Sequence, residues 1–359
     1  MTEPTYYPPE TRVMPLTLIR RERMLPAPGD VLVQTGARVE PMDVVAQAEV
    51  GGQFRTFEIA HLLRVPGARA ARYLKKQRGD QVKAGEVIAS RPGLPARNVR
   101  APVAGTIVDI DERDGRVAIE VASRRVELRA FLKGVIGNVL GNYGVVIETP
   151  GALIQAVWGL GGEAFGVLSV AAESPGESLK ASSIDLKAHG SIVVGGGWVA
   201  ESAFEQAQQL QLKGIIAGSI EGGLLDLARR MPFPIVVTEG VGQVAMAAPI
   251  FDLLKSQDGR EVSINAVTRT RWGAQRPEIL IPLPSETRPP MPPAVGAPLT
   301  VGARVRVVRG PHLGRVGTVE AVQARAQRIE TGSRVHGVDV RVGPTAVEFV
   351  PFANLELLR

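Results

Sequence analysis

Hydrophobic and polar residues alternate with a period of two in the first half of the chain. Residues 106–110 alternate, the acidic segment 111–115 ends in Asp114-Gly115, and residues 116–121 alternate again. Strict alternation is typical of strands with one buried face, and Asp-Gly is a frequent two-residue turn. The pattern predicts a β-hairpin here, within a β-rich region that extends to residue 172.

The pattern changes after residue 186, where short apolar runs alternate with segments of helical spacing. The runs predict strands at 191–194, 214–217, 234–237, 261–267 and 278–281, and the helical segments are 198–212, 224–230 and 244–254. Strands that alternate with helices predict an α/β layer with a partly parallel sheet.

Residues 144–172 form the most apolar long stretch. Two glutamates, six glycines and a proline interrupt it, and a spanning helix needs about 20 mostly apolar residues, so strands are expected here. The first 15 residues lack the basic patch and apolar run of a signal peptide. We therefore expect a cytoplasmic protein without direct membrane insertion.

Proline content marks the clearest boundary. Seven of the 17 residues in 282–298 are proline, which favours an extended spacer. A softer boundary lies in the Ser- and Pro-containing segment 172–186. The expected organisation is an N-terminal arm, a β-rich body, an α/β domain, a proline-rich linker and a C-terminal domain, at residues 1–27, 28–172, 173–281, 282–298 and 299–359.

A weak internal repeat lies in the β-rich body. Residues 36–46 align without gaps with residues 79–89, and four of the 11 positions are identical. In a chain rich in Gly, Val and Ala, this similarity has two interpretations, structural equivalence and chance.

The segment 79–89, followed by Ala101-Pro-Val-Ala-Gly-Thr-Ile-Val, resembles the barrel-sandwich hybrid of biotinyl and lipoyl carrier domains, over residues 28–121. Carrier function needs a lysine at a hairpin tip, but Leu94 stands there and residues 91–100 contain no lysine. Lysine-free versions occur in RnfC- and NqrA-type electron-transport subunits and in bacterial RNA polymerase. The chain has no Cys for RnfC-type iron–sulfur ligands, so the resemblance implies a non-catalytic scaffold.

The C-terminal domain carries the most specific motif. Alternating valines at 304–308 and 318–322 flank a loop with Gly310, Pro311, Gly314 and Gly317, where turns or close backbone contacts exclude side chains. This sequence resembles a KOW motif, the SH3-like barrel of NusG-type elongation factors and several ribosomal proteins. Residues 338–342, 347–349 and 354–358 fit the remaining strands, so the resemblance covers residues 299–359.

Charge adds a functional expectation to this resemblance. The whole chain has 34 Arg, eight Lys and a formal charge of +6, whereas residues 299–359 alone hold nine Arg, no Lys and five acids. The candidate nucleic-acid contacts are Arg306, Arg309, His312, Arg315, Arg325, Arg328 and Arg334. Such residues bind phosphates, but a KOW domain also docks on ribosomal or transcription proteins, and a solvated basic rim is a third interpretation.

The α/β layer offers a second, weaker site. Gly195-Gly196-Gly197 follows a strand and precedes a helix, and exposed N–H groups at a helix start can bind phosphate. The run matches neither established phosphate fingerprint. Because α/β sheets bind ligands after their strands, Gly196, Ser219 and Glu239 are candidates for a pocket for a small anion.

We find no catalytic constellation or metal motif. The acidic loop 109–115 places Arg113 where a calcium loop needs an oxygen ligand, and the four histidines share no ligand spacing. No cofactor is expected. The sequence favours a non-enzymatic scaffold or adaptor whose KOW domain contacts nucleic acid or a transcription or translation assembly. The alternatives are a ligand-binding or enzymatic α/β domain and a structural subunit of a larger complex, including a membrane-associated electron-transport complex. The oligomeric state stays open.

Overall fold

The computed structural model describes residues 6–93, 95–121, 123–269, 275–285, 288–292, 296–343 and 346–359. It is strand-rich, with 45% strand and 14% helix. The largest sheet has 12 strands and curls into a half-barrel, and several smaller sheets accompany it. Leu94, the position of the missing carrier lysine, lies outside the described residues.

The strands are numbered in chain order. The first 16, β1 to β16, are Glu10–Thr11, Val13–Met24, Asp30–Val31, Arg38–Val39, Val44–Val50, Phe54–Glu58, Gln81–Val82, Val87–Arg91, Arg97–Arg100, Gly105–Asp111, Arg116–Val121, Arg124–Arg129, Gly134–Val139, Gly144–Gln155, Trp158–Leu160 and Glu163–Val170. The others, β17 to β29, are Ile192–Val194, Trp198–Val199, Gly214–Ile220, Ile235–Val241, Glu261–Asn265, Glu278–Pro282, Arg304–Val307, Val316–Val322, Gln327–Arg328, Arg334–Val335, Gly337–Val342, Ala346–Pro351 and Leu355–Leu358.

The helices are short. The α-helices α1 to α5 are Ile59–Leu63, Gly67–Ala70, Glu201–Gln209, Leu225–Ala228 and Ala248–Ser256. Single 3-10 turns in the described parts of the chain are Ala71–Tyr73, Ala181–Ser183, Leu186–Ala188, Gly222–Leu224 and Phe352–Asn354.

The expected α/β layer contains the consecutive parallel strands β16, β17, β19 and β20. Alternate residues point to opposite faces, so Val193 and Ile215 pack with α3 and α4, whereas Ile192 and Ile216 pack with α5. The first helix begins at Glu201, later than expected, because Trp198–Val199 forms β18 beside β19.

The 12-stranded sheet runs across the boundary expected near residue 172. β16 pairs with β17 and also with β21, and β14 pairs with β22, so strands from both sides share one sheet. The apolar segment 144–172 forms β14, β15 and β16, as expected. Among the described residues, no helix is long and apolar enough to cross a membrane.

The internal repeat has equivalent backbone structure. β4 and β5 begin at Arg38 and Val44, and β7 and β8 follow the same spacing from Gln81 and Val87. Gly36 and Gly79 both have positive φ, and each donates its N–H over 2.7 Å to a later carbonyl, that of Ile136 or Ile107. The two segments are therefore structurally equivalent, which resolves the open interpretation.

The N-terminal segment is part of the folded body, not a separate arm. β1 pairs in parallel with the last strand, β29, and β2 pairs along most of β14. The Tyr6 and Phe352 rings stack with centroids 4.5 Å apart. The two ends of the chain thus stabilise one another.

The proline-rich linker also lies along the body where it is described. The carbonyl of Pro290 accepts hydrogen bonds from the Leu18 N–H at 3.0 Å and the Thr17 hydroxyl at 2.9 Å. The Glu10 carboxylate accepts hydrogen bonds from the N–H groups of Gly296 and Ala297, each at 3.1 Å. The segment is therefore anchored on both sides of residues 293–295, which lie outside the described residues together with residues 286–287.

Tyr6→Ala should loosen the C-terminal sheet. Removing the ring exposes Phe352, and the local free energy of unfolding should fall by about 1–3 kcal/mol. Hydrogen exchange of the amides in residues 355–358 measures this loss. Tyr7→Ala is the matched control, because Tyr7 is 59% exposed. Equal exchange in the two variants would contradict the stabilising role of the N-terminal segment.

Candidate functional site

The carboxyl ends of the parallel strands, where α/β proteins bind ligands, are occupied by the chain itself. A Cβ atom on Gly196 would lie 2.0 Å from the Ser174 carbonyl oxygen, and one on Gly218 would lie 2.6 Å from the Met246 nitrogen. The Met246 N–H donates to the carbonyls of Pro175 and Gly196, both at 3.0 Å. The glycines therefore permit close backbone packing, and they leave no phosphate cradle.

The other two candidate pocket residues are also engaged. Ser219 is fully buried, and its hydroxyl donates to the Val244 carbonyl and accepts from the Val244 N–H, both at 2.9 Å. The Glu239 carboxylate accepts hydrogen bonds from the Ala247 N–H at 3.0 Å and the Thr238 hydroxyl at 3.2 Å. Gly196, Ser219 and Glu239 are therefore all engaged in contacts that hold the loops after the strands together.

Glu239 leads instead to a buried ion-pair network with the C-terminal unit, residues 299–359. Arg306, on β23, donates from Nη1 to Glu239 Oε2 at 2.7 Å and to the Thr238 carbonyl at 3.1 Å. Its Nε and Nη2 contact Glu356 Oε1, and Glu356 Oε2 accepts a hydrogen bond from the Thr11 hydroxyl at 2.9 Å. The network joins the α/β layer, the C-terminal unit and the N-terminal segment.

Burial dominates the electrostatics of this network. The side chains of Arg306, Glu239 and Glu356 are only 2%, 3% and 7% exposed. Desolvation raises the pKa of Glu239, and the nearby Arg306 charge only partly opposes this effect. Arg306 is therefore removed from the candidate nucleic-acid contacts, because its guanidinium is buried and already paired.

The remaining candidate arginines are at the surface. Arg309, Arg315, Arg325, Arg328 and Arg334 are exposed, and none of them forms an ion pair within the described parts of the chain. Arg328 and Arg334 stand directly opposite each other in the β25–β26 hairpin. Like charges in opposing positions destabilise a strand pair unless an anion or solvent screens them.

A cavity of about 420 Å³ brings several of these residues together. Arg309, His312 and Arg328 line it, and His312 Nε2 lies 3.7 Å from a carboxylate oxygen of Glu348. The loop after β23 forms one wall and the β25–β26 hairpin forms another. We call this cavity, together with Arg334, which stands opposite Arg328 on β26, the basic cavity.

Sequence reasoning missed several residues of the basic cavity. Phe349, Glu348 and Asn354 line it together with the arginines. The Phe349 ring covers Gly337, because a Cβ atom added to Gly337 would lie 2.7 Å from Phe349 Cζ. The alternation in β28 gives a partial signal, because Val350 is buried in the core and Phe349 therefore points to the outer face. No sequence pattern indicates that this face meets the loop at Arg309.

Arg315 lies apart from the basic cavity. It lines a different cleft, of about 440 Å³, between the C-terminal unit and residues 244–248 of the α/β layer. A Cβ on Gly314, which has φ of +83°, would lie 3.1 Å from Val244 Cγ1, so the loop tip rests on the α/β layer. Gly310, with φ of +92°, and Pro311 form the preceding turn. At Gly317 the backbones pack closely, because a Cβ atom added there would lie 2.5 Å from the Arg341 carbonyl oxygen.

Comparisons with known proteins give no direct assignment: no family model matches the chain, and no curated protein matches it. Within the described ranges, no three His, Cys, Asp or Glu side chains are grouped as a metal site. The acidic segment 111–115 is a hairpin turn, in which Asp111 accepts the N–H groups of Arg113 and Asp114. These hydrogen bonds lower the pKa of Asp111.

Arg306→Ala should separate the C-terminal unit from the α/β layer. The substitution leaves Glu239 buried without its cation and Glu356 with only Arg276, whose Nη2 lies 3.9 Å from Glu356 Oε2. Loss of a buried charge partner costs about 3–5 kcal/mol. Hydrogen exchange at residues 302–308 and 355–358, together with thermal melting, measures the effect. Arg304→Ala, at an exposed arginine of the same strand, should change stability by less than about 0.5 kcal/mol. Similar losses in both variants would show that the network does not hold the units together.

Glu239→Gln should flatten the pH dependence of stability. Because the folded-state pKa of Glu239 is raised, the folded protein binds this proton more tightly than the unfolded chain. Stability therefore decreases as pH rises from the ordinary carboxyl range to the raised pKa, and stays constant above it. Melting temperatures measured from pH 4 to pH 8 should fall less with rising pH in Glu239→Gln than in the parent. Parallel curves would contradict the assigned shift.

Proposed function

We propose that this chain is a cytoplasmic, non-enzymatic scaffold whose C-terminal unit, a KOW-like domain, binds nucleic acid through the basic cavity. The observation that carries the proposal is the set of exposed arginines without ion-pair partners among the described residues. Three of them, Arg309, Arg328 and Arg334, lie at the basic cavity. Unpaired guanidinium groups on one face are suited to phosphates, which accept two parallel hydrogen bonds.

The division between paired and unpaired arginines supports this proposal. Within the C-terminal unit, Arg341 pairs with Glu320, Arg359 with Glu10 and Arg306 with two glutamates. The arginines of the β25–β26 hairpin are left without such partners in the described structure. Arginines with a purely structural role would be stabilised by acidic partners, whereas arginines that bind an anion must keep their positive charge available.

The body supplies the scaffold part of the proposal. Its two equivalent segments, residues 36–46 and 79–89, support a barrel-sandwich-like architecture without carrier chemistry. The small-anion alternative in the α/β layer gains no support, because backbone atoms fill the strand ends at Gly196 and Gly218. Docking on a transcription or translation protein, or assembly into a larger complex, becomes an outcome of the binding test.

Arg328→Ala and Arg334→Ala should each weaken nucleic-acid binding about three- to tenfold and lower the slope of log K against log salt by about one. The measurement is fluorescence anisotropy of the full chain with a labelled 30-nucleotide RNA hairpin, which offers both a duplex stem and an open loop. Salt is varied from about 50 to 200 mM.

Arg230→Ala is the matched control, since Arg230 is an exposed arginine of the α/β layer. It should leave affinity and salt slope unchanged. Absence of binding by the parent chain at about 50 mM salt would refute the nucleic-acid function and favour protein docking. An equal loss in Arg230→Ala would refute the assignment to the basic cavity.

A further inference from the structure

The basic cavity has the size of a site for a single nucleotide. Its volume of about 420 Å³ falls in the range of roughly 300–1,000 Å³ that is usual for small-ligand pockets. A duplex presents only base edges within its grooves and cannot place a whole base inside such a cavity. An unpaired nucleotide can do so.

The walls suit the flat face of a base. Phe349 is partly exposed, with one side packed over Gly337, and Pro311, Ile329 and Pro351 add apolar surface. Bases stack on aromatic side chains with about 1–3 kcal/mol per base, and stacking requires an unpaired base. A site built only for phosphates would have no use for these apolar walls.

The cavity lining also holds polar groups of a different kind from the arginines. The side-chain amide of Asn354 lies over Gly310, and its Nδ2 would be 3.5 Å from a Cβ atom added to that glycine. This side-chain amide makes no hydrogen bond within the described residues. Glu348 and Glu330 add carboxylates to the lining. Carboxylates repel phosphate but accept hydrogen bonds from the amino groups of bases, as Glu does with cytosine.

We infer that the basic cavity receives one unpaired nucleotide whose base carries an exocyclic amino group. The base stacks beside Phe349, with its amino group toward Glu348, and Asn354 offers both a donor and an acceptor to the base edge. The flanking phosphates lie near Arg309, Arg328 and Arg334. This inference rests on the proposed nucleic-acid binding and restricts it to single-stranded segments.

The test compares three probes on the full chain by fluorescence anisotropy at about 50 mM salt. The probes are a 12-nucleotide cytidine RNA, a 12-nucleotide uridine RNA and a 12-base-pair RNA duplex. Cytosine and uracil differ little in size but differ at the 4-amino or 4-carbonyl group and at the adjoining N3. This pair therefore tests the base edge that carries the amino group. We expect the cytidine probe to bind about fivefold more tightly than uridine and at least about tenfold more tightly than the duplex. A deoxycytidine version tests whether the 2′-hydroxyl contributes.

Variants separate the cavity from the general charge. Phe349→Leu and Asn354→Ala should each weaken cytidine binding about fivefold or more and leave duplex binding unchanged. Arg325→Ala is the control, because Arg325 belongs to the same exposed set but does not line the cavity, and it should weaken all probes alike. Melting temperatures check folding, and Asn354→Ala provides an independent variant if Phe349→Leu is unstable.

The outcomes are distinct for the two proposals. Equal affinity for duplex and cytidine, or a uniform loss in the Phe349 and Asn354 variants, would overturn the inference and leave nucleic-acid binding intact. Equal affinity for uridine and cytidine would overturn the role of the amino group. Failure of all probes to bind would refute the proposed function itself.

Discussion

The buried guanidinium of Arg306 is the contact on which the arrangement of the C-terminal unit depends. It satisfies Glu239 of the α/β layer and Glu356 of the last strand, while Thr11 completes the hydrogen bonding of Glu356. Burying charge is costly unless every partner is present, so the network is stable only when the three segments are assembled. These side chains therefore define the geometry of the interface. If the C-terminal unit packed in a shifted position, at least one buried charge would lose its partner.

This constraint distinguishes two groups among the arginines of the C-terminal unit. Those facing the body, Arg306 and Arg359, are used to hold the chain together. Those on the β25–β26 hairpin take no part in the network and stay unpaired within the described residues. Because the α/β layer holds the loop tip at Gly314, the adjoining residues Arg309 and His312 are presented on a supported loop beside the hairpin.

Local pattern predicted most of the strands and helices, and the larger errors concerned contacts between segments that are distant in sequence. The alternation that predicted a hairpin at 106–121 depends on contacts close in sequence. The repeat was visible as sequence identity, although the contacts that hold its first copy, such as that of Gly36 with Ile136, are distant in sequence. The sequence predicted an N-terminal arm because the strands that pair with this segment, β14 and β29, lie far along the chain. The sequence predicted a spacer at the proline-rich segment because proline content indicates a stiff backbone. It gives no information about which distant groups form hydrogen bonds with that backbone.

Arg304 and Arg306 show most directly what each level decides. Period-two alternation places Val305 and Val307 in the core and both arginines on the outer face of β23, and this much follows from the sequence alone. Only the tertiary structure covers that face at Arg306 with the α/β layer and leaves it open at Arg304. Likewise, the sequence determined an excess of exposed arginine, but only the fold brought Phe349 and Asn354 to Arg309. The physical reason is the same in both cases: periodicity determines which side of a strand a residue occupies, whereas long-range packing determines what lies against it.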